Sequence, residues 1–513
     1  MRTMVVRRTV IGASVIVATA TATYSESQSG VFVPSIPRAW DDAALSTLEV
    51  PLPHRDYSPK AVSSDYYYRM PVRPIFKTYP VYVPGKEPKG YLTSLRPRAP
   101  EIVWDDKGHR PTLETKADWI KAGELVFDAA IFYDGVATAA DVQDPAWHEH
   151  VRPLSTPQGV LPNTSYVIRT PGKVELGNNA CGFCHTRVMP DGTVIKGAQG
   201  NFPFDRAVAY ATRRRNINDA RTGFRALFAA PWLKDADPAA RVAAMTLEEL
   251  VTKFDAVPPG VAARHRASID SPPAIPDLIG IRERRYLDRT GLVNHRDISD
   301  LMRYAALNNE LDFFSRFGDF IPAGIDFREL PPPTDPGVGP NGRYSDEQLY
   351  ALALYLYSLK PPVNPNPQTP QTVRGEQVFQ RERCGRCHPP PLYTNNKLMP
   401  VRGFAVPDGD RERFAIMPTA IGTDPTLTLR TRRGTGYYKV PSLRGVWYRG
   451  PFEHNGSVAT LEDWFDPQRI DDDYVPTGFR VAGANSRPVP GHVIGLDLSD
   501  ADKAALIAFL KTL

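Results

Sequence analysis

Two short stretches of this chain could do chemistry at once: Cys181-Gly182-Phe183-Cys184-His185 and Cys384-Gly385-Arg386-Cys387-His388. They use all four cysteines of the 513 residues and leave no thiol for a disulfide. A Cys-x-x-Cys-His run is the attachment sequence of c-type haem: the thiols form thioethers with the porphyrin vinyl groups, and the histidine ligates the iron. A redox dithiol or half of a zinc site would also use Cys-x-x-Cys. Neither accounts for a histidine directly after both pairs. The expectation is two covalent haems c, attached at Cys181, Cys184, Cys384 and Cys387, with His185 and His388 on the irons.

The N-terminus agrees. Arg2, Arg7 and Arg8 precede an apolar stretch from Thr9 to Ala18, and small residues run to Ala20-Thr21-Ala22. That is the pattern of a secretory signal, and the Arg7-Arg8 pair resembles a twin-arginine signal. The apolar stretch is shorter than the roughly 20 residues of a spanning helix. Cleavage and a periplasmic location are therefore expected, with membrane attachment only if the signal stays as an anchor. Removing residues 1–22 takes away three arginines and no acid, so the formal charge falls from +5 to +2. Nothing in that balance points to nucleic acid.

The elements that must position the motifs repeat along the chain. Gly123-Glu124-Leu125-Val126-Phe127 opens one unit and Gly375-Glu376-Gln377-Val378-Phe379 opens another, each read as a short helix. Phe379 lies five residues before Cys384, whereas Phe127 lies 54 before Cys181, so the first unit carries a large insertion. Each unit closes with an amphipathic helix. Ser345 to Gln348 forms a capping box ahead of Leu349, Leu352 and Leu356. Ser499 is the expected N-cap before Leu506, Phe509 and Leu510. Residues 361–371 read as a semi-rigid proline-rich linker. Residues 23–115 read as an extended arm, whose many aromatics argue for burial. The expected fold class is mainly α. Two cytochrome c-type domains, 116–360 and 372–513, would be joined by long proline-rich segments.

The second unit carries a longer signature: Lys439-Val440-Pro441-Ser442-Leu443-Arg444, then Pro451-Phe452-Glu453-His454-Asn455-Gly456-Ser457 and Thr460-Leu461-Glu462. This resembles the dihaem cytochrome c peroxidases and the related methylamine-utilisation dihaem enzyme. The resemblance covers residues 372–513 well and the first unit mainly through its haem motif. Gly491-His492-Val493-Ile494-Gly495 is similar to an element of the rubber-oxygenase branch. The resemblance implies one haem with two protein ligands that takes electrons from a small donor, a cytochrome c or cupredoxin. It implies that the other haem has an open face for hydrogen peroxide or O2. It also implies a calcium ion between the domains, although no compact acidic loop identifies one.

Ligand counting then bears on function. No histidine occurs between His185 and His265, so the first haem reads as open and His185 as the ligand at the catalytic centre, unless His265, His295 or a methionine returns to it. For the second haem His492, His454, Met399 and Gln468 are the candidates. The peroxidase branch places methionine fourteen residues after the histidine of its P-Y-x-H motif; here that position is Gln468, a poor ligand. His454 matches a family histidine that lies near the haem without binding iron, which leaves His492 as the expected sixth ligand. Trp232 is a candidate electron relay, since the family uses a tryptophan between its haems, and equally a core residue. Arg213 to Arg215 could meet haem propionates or form a solvated face. The segment 275–320, with Arg285, Tyr286, His295, Arg303 and Tyr304, is the expected distal region of the first haem. The expected function is peroxidase-like reduction at the first haem. An oxygenase acting on a bulky apolar substrate and a plain electron-transfer cytochrome are the alternatives.

Overall fold

A computed structural model describes residues 31–215, 221, 223–224, 227–230, 232–233, 238–264, 266–309, 315–321 and 342–513. The signal segment and His265 lie outside the described residues. The helices that frame the motifs are α1 (Lys116–Asp128), α2 (Phe204–Arg213), α3 (Leu247–Asp255), α4 (Ile298–Asn308), α5 (Asp346–Ser358), α6 (Pro370–Arg381) and α7 (Asp500–Leu510). The sequence caps them as expected. Ser345 and Gln348 form a reciprocal capping box at α5, and the Ser499 hydroxyl accepts from Asp502 N at α7. Thr115 with Asp118, and Thr369 with Thr372, do the same for α1 and α6. Helix α6 therefore begins at Pro370, and the extended linker ends two residues before the expected boundary. Asn364 and Asn366 of that linker both donate to the Lys511 carbonyl, at 2.9 and 3.0 Å, which pins the linker to the end of α7.

In each unit the opening helix packs on the closing one, α1 on α5 and α6 on α7. The two crossings match atom for atom. A Cβ added at Gly123 would lie 2.0 Å from the Ala351 carbonyl oxygen, and one added at Gly375 would lie 1.9 Å from that of Ala505. Only a residue without a side chain permits this approach. Beside the crossings Phe127 meets Tyr355 at 5.2 Å and Phe379 meets Phe509 at 5.4 Å between ring centres. Fully burying each such side chain contributes about 1.5–3 kcal/mol.

The fold class departs from expectation. The chain has 33% helix and 14% strand in several small sheets, so it is mixed rather than mainly α. Most of the difference arises in the arm and the insertion. Strands β1 (Thr78–Tyr82), β2 (Phe132–Tyr133), β3 (Val160–Thr170) and β4 (Lys173–Asn178) form an antiparallel sheet in the order β1-β3-β4-β2. The turn Pro171-Gly172 after the β-branched run of β3 was the available hairpin signal. The arm also contributes Trp40, Tyr67, Met70 and Trp104 to the core around α1 and α5, with Trp40 and Tyr67 stacked at 4.6 Å. Later in the chain β5 (Leu398–Pro400) pairs with β6 (Tyr437–Lys439). Among the described residues no helix is long and apolar enough to cross a membrane.

The glycine crossings give a direct test. The Gly375→Ala variant gains about 1 kcal/mol of helix propensity but forces a methyl into the Ala505 carbonyl, and overpacking typically costs about 1–3 kcal/mol. We expect a lower urea midpoint. A raised midpoint would show that α6 and α7 do not cross this closely.

Candidate functional site

Cys181–Cys184 forms a single helical turn, and Cys384–Arg386 a 3-10 turn. The backbone N–H of each histidine donates to the carbonyl of the first cysteine of its motif, both at 2.9 Å. The sheet supports the first motif: Asn163 Nδ2 on β3 donates to the Thr186 carbonyl at 2.9 Å, and Gly197 N donates to the His185 carbonyl at 2.6 Å.

Both histidines are held in the same way. His185 Nδ1 lies 3.0 Å from the Pro276 carbonyl, and His388 Nδ1 lies 3.0 Å from that of Tyr393. A carbonyl can only accept, so Nδ1 carries the proton and Nε2 presents its lone pair. This is the orientation that ligating histidines adopt. Burial pushes both imidazoles down to about 4, with the nearby His492 adding to the effect at His388. Neutral imidazole is the form that binds a metal. The residues therefore fit covalent haem at both motifs.

His492 is the second imidazole near His388. Its backbone has φ 47°, held by His492 N to the Ile421 carbonyl at 3.0 Å and by Arg469 Nη2 to the His492 carbonyl at 2.7 Å. Gly491 is needed beside it, because a Cβ there would lie 2.3 Å from Thr423 N. His492 Nδ1 is buried without a hydrogen-bond partner, and its ring meets Trp464 edge-on at 5.2 Å. Among its rivals, Gln468 is exposed, and Met399 lies in β5 opposite Tyr438. His454 Nδ1 donates to Glu453 at 2.7 Å and its ring stacks on Tyr438, with Nε2 buried and unpartnered. His295 is engaged at both nitrogens, by the Arg284 carbonyl and the Tyr357 hydroxyl, each at 2.7 Å.

Several softer expectations land elsewhere. Trp232 packs against His54, Tyr57 and Phe317, on the arm side. Trp447 and Tyr448, edge-on to each other at 5.1 Å, line a pocket with Ile279, Arg284, Leu392 and Thr394. Arg213 to Arg215 are exposed and occupied by Asp255, Asp141 and the Gly135 carbonyl. The segment from 275 lies on the Nδ1 side of His185, away from Nε2, so its first part is proximal rather than distal. Farther along, Tyr304 and Arg303 on α4 turn to Asp288 and Asp300.

What the sequence did not reveal is the link between the motifs. The Tyr448 hydroxyl donates to Asp277 Oδ2 at 3.1 Å, one residue from the carbonyl that holds His185. Arg449 Nη2 donates to the Ser442 carbonyl at 2.8 Å, and the Ser442 hydroxyl donates to the Leu392 carbonyl at 2.6 Å, one residue from the carbonyl that holds His388. Asp205 on α2 is the second missed residue. It is buried and accepts only moderately long bonds from Ala263 N at 3.1 and 3.3 Å. Burial raises its carboxyl well above the ordinary range, against the pull of Ala263 N–H and Arg264. Arg264 in turn reaches Cys184 Sγ at 3.5 Å.

Comparisons with known proteins add little. No protein-family model matches the chain. The uncharacterized protein y4iJ of Sinorhizobium fredii (strain NBRC 101917 / NGR234) is 35% identical over 106 residues, 15% of this chain and 18% of that protein. Among solved structures, a MauG-like protein associated with microbial copper homeostasis has 20% identity and a TM-score of 0.21, covering 33% of this chain and 56% of its own. Hydrazine synthase of Kuenenia stuttgartiensis has 15% identity and a TM-score of 0.27, covering 60% of this chain and 92% of its own. Scores this low do not establish a shared fold.

The Asp205 carboxyl sets a pH dependence. An acid whose folded pKa is raised must keep its proton on folding, so its cost is absent below the unfolded value of about 3.9 and grows as pH rises. The Asp205→Asn variant, which mimics the protonated acid, should gain thermal stability over the parent at pH 7 and little at pH 4. An equal difference at both values would mean that Asp205 is ionised in the fold.

Proposed function

We propose that this chain is an exported dihaem c-type oxidoreductase in which electrons enter at the second motif and hydrogen peroxide is reduced at the first. The observation that carries the reading is the matched presentation of His185 and His388, each tied through Nδ1 to a carbonyl and free at Nε2. When bound, haem supplies one-electron chemistry and an iron that can take an exogenous ligand.

The chain's own residues then divide the work. His388 and His492 are the two imidazoles that would hold a haem iron at the second motif, which suits electron storage. No histidine follows His185 until His265, which suits a site open to an exogenous ligand. The Asp277–Tyr448–Arg449–Ser442 link joins the carbonyls behind both histidines and offers a bonded route between the motifs. Asp205, whose carboxyl burial raises well above the ordinary range, would be a candidate for supplying a proton to peroxide, a task that general acids perform in such sites. A small cytochrome c or cupredoxin would be the donor.

Haem content tests the reading first. Purified protein should keep two haems through acid–acetone extraction, and replacing Cys181 and Cys184 together should leave one. Loss of all haem on extraction would sink the proposal. The His492→Ala variant should convert one low-spin iron to high-spin in paramagnetic resonance and leave the other signal in place. An unchanged low-spin signal would move the ligand to His454, whose Nε2 is also unpartnered. Resting protein with two low-spin irons that ignore cyanide, even when partly reduced, would replace the enzyme with an electron-transfer cytochrome.

A further inference from the structure

A cavity between the two motifs is lined by four cationic side chains, Arg284, Arg289, Lys439 and Arg449, beside one carboxylate, Asp277. It also touches Pro276, whose carbonyl holds His185, and Thr394 and Pro441, which flank the backbone that holds His388. The cations are poorly compensated. Arg284 donates to the carbonyls of Asp277 and Ile279, and Arg289 to those of Ala274 and Ile275, at 2.9 Å each for the latter pair. These acceptors are neutral. Arg449 lies 4.0 Å from Asp277 Oδ2, and its Nε is buried without a partner. Lys439 Nζ reaches the Tyr286 carbonyl at 3.5 Å. The next carboxylate, Asp288, is taken by Arg433 at 2.6 Å.

Burial and mutual repulsion bring Arg289 down to about 10 and Lys439 well below its ordinary value. Cations gathered away from water without counter-charge are costly, and an anion in the cavity would relieve them. Calcium, which the family resemblance implies between the domains, does not fit here. It needs six to eight oxygen ligands with carboxylates among them, and this cavity offers one carboxylate and four positive charges.

We propose that the Arg284–Arg289–Lys439–Arg449 cluster is an anion site for the propionate carboxylates of the haems at the two motifs, and that it takes the place of an interdomain calcium ion. The inference rests on the dihaem reading above. A soluble oxyanion such as phosphate has the same chemistry and is distinguished by the test.

The experiment uses full-length holoprotein shown by pyridine haemochrome to carry two haems; failure at that step would strike the dihaem reading and not the cluster. Midpoint potentials and thermal stability are then measured for the parent, Lys439→Gln and Lys439→Arg, each with and without EDTA, added calcium and added phosphate. A positive charge beside a propionate favours the reduced haem, so Lys439→Gln should shift at least one potential negative. Lys439→Arg should hold the parent value. EDTA, calcium and phosphate should leave both readouts unmoved. Unchanged potentials in Lys439→Gln overturn the proposal, as does stability lost to EDTA and restored by calcium. A phosphate-dependent potential in the parent that disappears in Lys439→Gln would assign the site to a soluble anion and also overturn it. Should Lys439→Gln fail to fold, Arg449→Gln is read by the same criteria.

Discussion

In each unit one helix is laid directly on the backbone of another. At Gly123 and Gly375 no side chain separates the opening helix from a carbonyl of the closing one, and that approach sets the position of everything that follows in sequence. The first haem motif stands against Phe127 and Asp128 at the end of α1, and the second follows α6 by two residues. Remove the close approach and the helices part by the width of a methyl group. The phenylalanines one turn on would then lose their partners across the crossing. Close-packed interiors transmit such shifts because they contain few voids to absorb them.

From that frame the two histidines acquire their chemistry through backbone carbonyls rather than carboxylates. A carbonyl orients the ring and fixes the tautomer without adding negative charge, and ligand basicity rises less than with an aspartate partner. The carbonyl of Pro276 reaches His185 only because the 274–290 loop is clamped, by Arg284 and Arg289 to its own backbone and by Asp277 to Tyr448. The same arginines that brace the loop therefore make the space between the motifs cationic. Bracing and charge come from one set of side chains.

Much of the frame was legible in the linear chain. The paired motifs, the repeated Gly-Glu-x-Val-Phe openings, and the caps at Ser345 and Ser499 are all local patterns, set by spacing within a few residues. The linker was legible to within two residues, the difference being Thr369, whose capping role depends on Thr372. The sheet ahead of the first motif was not seen, because β1 in the arm and β3 in the insertion are partners far apart in sequence. Trp232 illustrates the converse: an aromatic in a suggestive context finds its neighbours in the arm.

Residue type and spacing alone determined that this protein has two Cys-x-x-Cys-His sites, which histidines follow them, and that each site lies between an opening and a closing helix. These are covalent or near-neighbour facts. Tertiary structure decided which carbonyl holds each imidazole, that His492 comes near His388, and that four cations meet between the motifs. The carbonyl of Tyr393 lies only five residues from His388, but Pro276 is 91 positions from His185, and Tyr448 is 171 from Asp277. Partners at such separations leave no periodicity in the sequence, since the chain geometry that brings them together is the sum of every turn between them.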